Sequence, residues 1–569
     1  MKIKYYLSVL LLYPLLNGCH DLDYSEQSYT DKTGVFANFN SSQQAFFAIY
    51  SSMQDGFSDV GDAMLESATD NGICVWNSAS AANTSNIRFF YDGSWSPINT
   101  IDAQWLAFYT GVRRANLFLE NADDKVLEPF KWSGNDYQTK LKNWIIYPYE
   151  ARFLRAFFHF ELAKRYGDIP LVTKVLTYDE ANSSTRESFE NVMLWIAQEC
   201  TDIAPYLPVS YRDNNVTPGL QTGRVTRGAA LALKARALLY LASPLHNPQG
   251  DQQKWIDAAR AAHDLIVSGL YSNTLPAWGS VFNVFTAANT ELILERRIAG
   301  TTLTFERANT SVGFGGTSRT TNCPTQNLVD AFEMQANGKG ILENGSGYDP
   351  NNPYAGRDPR LAMTVLYNGA IWKNRALDIS VGGIDGQPKA NATPSGYYLR
   401  KYMDPNVVYD GTPTSATQHC WILFRYTEVL LNYAEAMNEA YGPNSLGDGT
   451  FTLTALDAVN YVRSRTGVNM PPFPAGISQG DFRTKIRNER RVELAFEGQR
   501  MWDIRRWKIG DVTREIDGMQ IVKQGDGSFT YTPVKIQDRL WDDKMYFYPI
   551  PQSEIYDTNS SLSQNPGWN

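Results

Sequence analysis

Histidine and cysteine are scarce, with five of each in 569 residues. The histidines, at positions 20, 159, 246, 263 and 419, form no HExxH pair, and the cysteines have no CxxC spacing. A zinc site needs such ligands at short, fixed spacing, so none is expected. Positive charge is also short. Lys and Arg number 52 against 60 Asp and Glu, a formal charge of −8, which becomes −10 if a leader carrying Lys2 and Lys4 is removed. Nucleic-acid binding needs a basic surface, so nucleic acid is excluded as a partner. Beyond residue 16 no apolar run approaches the roughly 18 residues of a membrane-crossing helix. The Asp- and Asn-rich run Tyr348–Asn352 lacks the spacing of a calcium loop and reads as a solvated turn.

What is present begins at the N-terminus. Lys2 and Lys4 precede the apolar stretch Tyr5–Leu16, which is too short to span a bilayer but fits an export leader. Leu16-Asn17-Gly18-Cys19 follows, similar to a bacterial lipobox. Residues 1–18 are therefore expected to be a cleaved lipoprotein signal. Residues 19–40 then form a lipidated N-terminus and polar tether, with lipid on the Cys19 thiol. Export permits disulfides, but widely separated Cys74, Cys200, Cys323 and Cys420 do not reveal whether any pair forms.

The body of the chain alternates two textures. Apolar residues recur at helical spacing in Glu150–Tyr166, where Gly167 and Pro170 supply a stop, and in Thr226–Leu241, where Thr226 is a candidate N-cap. Helices of the same style are expected near 41–55, 101–121, 187–203, 254–268, 426–440, 453–466 and 482–496. Short connections and small-residue positions make these resemble divergent tetratricopeptide pairs, which stack because no single pair can bury its own apolar face. Residues 56–100 and 272–424 are instead rich in Gly, Asn, Ser, Thr and Pro, yet carry Trp76, Trp95, Trp278 and Trp372. Long irregular segments with aromatics point to function rather than disorder.

Several stretches resemble the RagB/SusD family, in family order: EARFLRAFFHFELAKRYGDIPLV (150–172), GRVTRGAALALKARALLYLASP (223–244), NLVDAFEM with PYAGRDPRL (327–334 and 353–361), RYTEVLLNYAEAMNEA (425–440), NYVRSRTGV (460–468), IRNERRVELAFEGQRMWDIRRWK (486–508), and YPIPQSEI with NPGW (548–555 and 565–568). The resemblance implies a mainly α fold, a tetratricopeptide-like helical-pair scaffold with a large, mostly irregular ligand-binding part. An N-terminal region (41–271, binding loop 56–100) would be followed by a C-terminal one (272–569, loop-rich part 272–424, closing helices 425–508). It also implies a surface-exposed, lipid-anchored place on the outer membrane, beside a SusC-like TonB-dependent transporter, and capture of a glycan without catalysis or cofactor. Arg490, Arg491, Glu493, Glu497, Arg500, Asp503, Arg505 and Arg506 are read as a packing network, since Arg forms bidentate pairs with carboxylates.

Sugar rings stack on flat aromatic side chains, and their hydroxyls match amides, carboxylates and guanidinium groups. Residues 66–99 offer this mixture in Asp70, Asn71, Trp76, Trp95 and Asn99. Trp95 with Asn99, and the pair Asp70-Asn71, fall where the family commonly builds its sugar platform. Trp278 and Trp372 are the candidate aromatics of the second irregular stretch. A peptide-binding site, as in some RagB-like relatives, would use fewer flat rings and more backbone pairing. Gly476–Gly480 matches GxSxG, but Pro471, Pro472 and Pro474 forbid the preceding strand, so Ser478 reads as the beginning of a helix.

Overall fold

The computed structural model describes residues 31–61, 63–75, 86–212, 221–282, 289–297, 303–314, 320–408 and 419–568. The fold is mainly α. Eleven of its helices organise the molecule: α1 Phe39–Tyr50, α2 Trp105–Asn121, α3 Asn135–Trp144, α4 Tyr147–Tyr166, α5 Phe189–Ile203, α6 Arg227–Ala242, α7 Gln252–Val267, α8 Tyr426–Tyr441, α9 Ala455–Arg463, α10 Gln479–Glu493 and α11 Arg500–Arg506. They pack as a series, α1 on α2, α2 on α4, α4 on α5, α5 on α6, α6 on α7 and α7 on α8, with α9 and α10 closing against α8. None is long and apolar enough to cross a membrane.

Local chemistry sets the helix limits. Thr226 accepts a hydrogen bond from the Ala229 N–H, Ser188 from Asn191, and Asp251 from Gln253. Thr454 and Asp457 form a reciprocal capping box. Gly167 ends α4 at φ +73°, a left-handed conformation that favours glycine. Alanines at 229, 230, 232, 235 and 237 are all buried in α6, so its two neighbours lie close on either side.

The irregular part is tied to the array by short strands. β1 (Gly72–Cys74) pairs antiparallel with β3 (Asn322–Pro324), and β2 (Leu292–Arg297) with β4 (Cys420–Arg425), which runs directly into α8. A hairpin of β5 (Glu515–Lys523) and β6 (Phe529–Asp538) follows α11. One contiguous apolar core runs from Phe39 to Trp568 and includes both the helical and the irregular parts. Cys74, Cys200, Cys323 and Cys420 are all buried.

Candidate functional site

The structure places the sequence-predicted residues in ways that revise their roles. Trp95 is 4% exposed and packs edge-on against Phe90, Tyr548 and Trp568, with ring centroids 4.8–4.9 Å apart. Trp278 lies against Phe282 at 4.6 Å, and Trp372 sits in a two-residue strand; both are buried. The expectation that these three rings stand open for stacking therefore fails. Their loops lack helical periodicity but still need an apolar core, and these rings supply it. Asp70 and Asn71 are buried too. Asp70 pairs with Arg500 (2.8 Å) and Arg491 (2.9 Å), while Asn71 bridges Glu66 and Arg491 at 2.7 Å each. Burial would raise the Asp70 carboxyl, but the two arginines outweigh it and hold it below its ordinary value. This pair anchors loop to scaffold and does not face solvent. Asn99, half-buried, donates to the Ser94 carbonyl (2.8 Å) and fixes a tight turn. Trp76 and Cys19 lie outside the described residues.

The conspicuous polar opening lies elsewhere, although it begins in the loop just after the first long helix. A cleft of about 560 Å³ is lined by Ser51, Ser52, Gln54, Asp55, Ser58 and Asp59 from that loop. Gln104, Thr110 and Arg114 of the α2 segment and Arg296 of β2 form the other wall, with Met53, Ala103, Leu106 and Ala107 between them. Its floor is built from buried charge. Arg165 of α4 donates to Asp102 (2.8 Å) and to the side-chain oxygen Oε1 of Gln54 (2.7 Å). The Gln54 amide then donates to Asp59 (2.5 Å) and Asp102 (3.1 Å), so the orientation of Gln54 is fixed. Burial pushes the Asp59 carboxyl well above its usual range, and the neighbouring Asp102 charge adds to the rise. Burial raises Asp55 as well, against the Phe57 N–H and Arg296. Arg114, on the α2 wall, donates to Ser51 and Ser52 at 3.1 Å each.

A second opening, about 240 Å³, runs between α2, residues 170–184 and the C-terminal segment. Trp105, Leu106, Tyr109, Val172, Val175 and Leu562 make it apolar, with Arg113, Lys174 and Glu554 at its edge. It offers few groups for hydroxyls. Nothing nucleophilic is assembled at Ser478, whose hydroxyl caps α10 by accepting from Asp481 N–H (3.1 Å) and donating to its carboxylate (2.7 Å). Among the described residues no cluster of His, Cys, Asp and Glu is arranged to hold a metal ion.

Sequence reasoning missed Trp132. It stands in the turn before α3 and is 96% exposed, whereas the other described tryptophans are buried or, for Trp195, half-buried. A lone Trp between Lys131 and Ser133, outside both irregular stretches, gave little reason to single it out.

Stacked helical pairs, an irregular part fastened to them by buried ion pairs, and an open polar cleft define a tetratricopeptide-like scaffold of the SusD type. Two family models match the chain: one described as starch-binding and associating with outer membrane over residues 22–241, and the SusD family over residues 290–568. The chain belongs to the SusD/RagB family. It is 24% identical over 440 residues to a SusD-like protein of Formosa agariphila, covering 74% of this chain and 72% of that one. Among solved structures, a SusD-like protein of Bacteroides fragilis superposes with TM-score 0.75 at 26% identity, over 95% of this chain and 98% of the other. A SusD-like carbohydrate binding protein of the same organism gives TM-score 0.71 at 25% identity, over 92% and 99%.

Proposed function

We propose that this chain is a cell-surface lipoprotein, anchored to the outer membrane through Cys19. It captures oligo- or polysaccharide and passes it to a SusC-like TonB-dependent transporter, and it performs no chemistry on the glycan. The observation that carries this reading is the cleft beside α2, in a chain of this family. Its lining combines hydroxyls, carboxyls, guanidinium groups and an amide locked in one orientation. Such a surface matches vicinal hydroxyls, and preorganised polar groups lose little entropy on binding. Trp76 remains the stacking residue proposed for the loop 56–100. The carbohydrate-binding relative from Bacteroides fragilis supports the same ligand class.

The test uses the mature chain carrying Cys19→Ala, titrated against laminarin, amylopectin, xylan, arabinan and pectin and against a mixed peptide library. One polysaccharide should bind, with no release of reducing ends. Gln104→Ala and Arg114→Ala should each weaken it by about 1–3 kcal/mol, roughly 5- to 150-fold, with the thermal midpoint unmoved. Binding of peptides with indifference to every polysaccharide would assign the chain to peptide uptake instead. In cells, Cys19→Ala should leave the membrane fraction when no transporter is co-expressed.

A further inference from the structure

We propose that the Trp132 turn is a second glycan-contacting site, a single stacking platform at the opposite end of α1 from the cleft. The proposal rests on the glycan-binding reading above and deepens it. An indole 96% exposed on a protein surface is left unexplained by packing, because burying such a ring is ordinarily favourable by a few kcal/mol. The turn that carries it is rigid. Lys131 N–H donates to the Glu128 carbonyl (3.2 Å), and Ser133 donates to the Phe130 carbonyl through both N–H (2.8 Å) and hydroxyl (2.6 Å). Beneath it, Phe130 packs edge-on against Phe39 at 5.8 Å, and Lys140 lies 4.7 Å above the Phe130 ring while pairing with Asp136 at 2.7 Å. The backbone that carries the ring is therefore held in place, with the exposed polar side chains of Lys131, Ser133, Asn135 and Asp136 beside it in the chain.

That collar decides the kind of partner. A tip that inserts into lipid needs a broad apolar face, and here insertion would bury charges of both signs beside one ring. A sugar needs only one flat face with hydroxyl-matching groups at its edge. The Phe39–Phe130 contact puts the turn at the N-terminal end of α1, and the cleft opens at its C-terminal end. Twelve residues of helix separate the two ends, about 18 Å. Two weak sites so spaced would hold a long glycan better than either alone, through effective concentration.

The mature Cys19→Ala chain is run in affinity electrophoresis through laminarin, amylopectin, xylan, arabinan and pectin, and mixed with vesicles of phosphatidylethanolamine and phosphatidylglycerol. On the polysaccharide that the chain binds, Trp132→Ala should weaken retardation by roughly tenfold, and Trp132→Phe, which keeps a ring, by no more than about twofold. The thermal midpoint should not move in either variant. Equal retardation of Trp132→Ala and the unsubstituted chain overturns the second site and leaves the cleft reading standing. Retardation by none of the five removes both. A blue shift of indole fluorescence with vesicles that is lost in Trp132→Ala, with retardation unchanged, overturns the proposal in favour of a lipid surface.

Discussion

His159 sits inside α4 with both ring nitrogens engaged. Nε2 accepts from the Val172 N–H at 3.0 Å, so Nδ1 carries the proton and donates to the Arg155 carbonyl at 2.8 Å. Burial lowers this imidazole from 6.5 to about 4, since the cation has neither water nor a free acceptor. Between those two values the unfolded chain binds the proton and the folded chain does not. Stability therefore rises with pH across that window, and it is lost as pH falls from 6.5 toward 4. The loss is on the order of 3 kcal/mol, at about 1.4 kcal/mol per unit. Urea midpoints measured from pH 4 to 7 should climb steeply for the natural chain and more shallowly for His159→Gln. Parallel slopes would refute the assignment. Trp95 gives a second prediction at this scale. Because its ring is held by Phe90, Tyr548 and Trp568, Trp95→Ala should cost about 3–5 kcal/mol of stability. Calorimetry should show a much lower midpoint, with glycan affinity per folded molecule retained. Loss of affinity at an unchanged midpoint would restore Trp95 to the site.

The close approach of α2 to α4 depends on one glycine. A Cβ on Gly111 would lie 2.5 Å from the Phe158 ring and 2.9 Å from the Ser52 side chain, and Phe158 is fully buried. Gly111→Ala should destabilise by about 1–3 kcal/mol through overpacking, despite the better helix propensity of alanine. Gly480→Ala, in the first turn of α10 with nothing within 4 Å, is the matched control and should be neutral or slightly stabilising. Equal midpoints for the two variants would show that α4 yields without cost. Element by element, the helices were the legible part of the sequence. Periodicity located α4, α6 and α8, and Thr226 and Gly167 marked their ends, because capping is local chemistry. The hairpin Glu515–Asp538 was not foreseen, although Gly525-Asp526-Gly527 between two alternating runs is a turn signal of the right kind. The site was less legible. Helical periodicity is absent from 56–100 and 272–424, but that absence does not encode exposure, because an irregular segment also packs apolar side chains. Tyr397, Tyr398, Trp278 and Trp372 do so as part of the one apolar core that also holds the helices. Exposure of Trp132 is a property of the turn, which spacing does not encode.

The whole molecule is held together around Glu493. Its carboxylate accepts from Arg425 at 2.8 Å, Arg465 at 3.0 Å and Arg360 at 2.8 Å, all buried. Those three arginines come from the head of α8, the segment after α9 and the irregular part, so one side chain joins scaffold to loops. Arg425 continues the network to Glu291 and Glu497, and Arg360 to Asp358 and Glu489. Burial alone would raise the Glu493 carboxyl, yet the arginines hold it well below its ordinary value. The pairing therefore stabilises the fold at pH above the ordinary carboxylate value and is lost only as pH falls through the depressed one. Buried ion networks contribute little net free energy relative to apolar packing, but breaking one leaves guanidinium groups uncompensated, at about 3–5 kcal/mol. Glu493→Gln keeps shape and removes charge, so it isolates that term. Because one apolar core spans both parts, the variant should unfold in a single calorimetric transition moved to lower temperature, with scaffold and loops lost together. Two separated transitions, the later one at the natural midpoint, would show that the helical array stands without the irregular part and that Glu493 serves the loops alone.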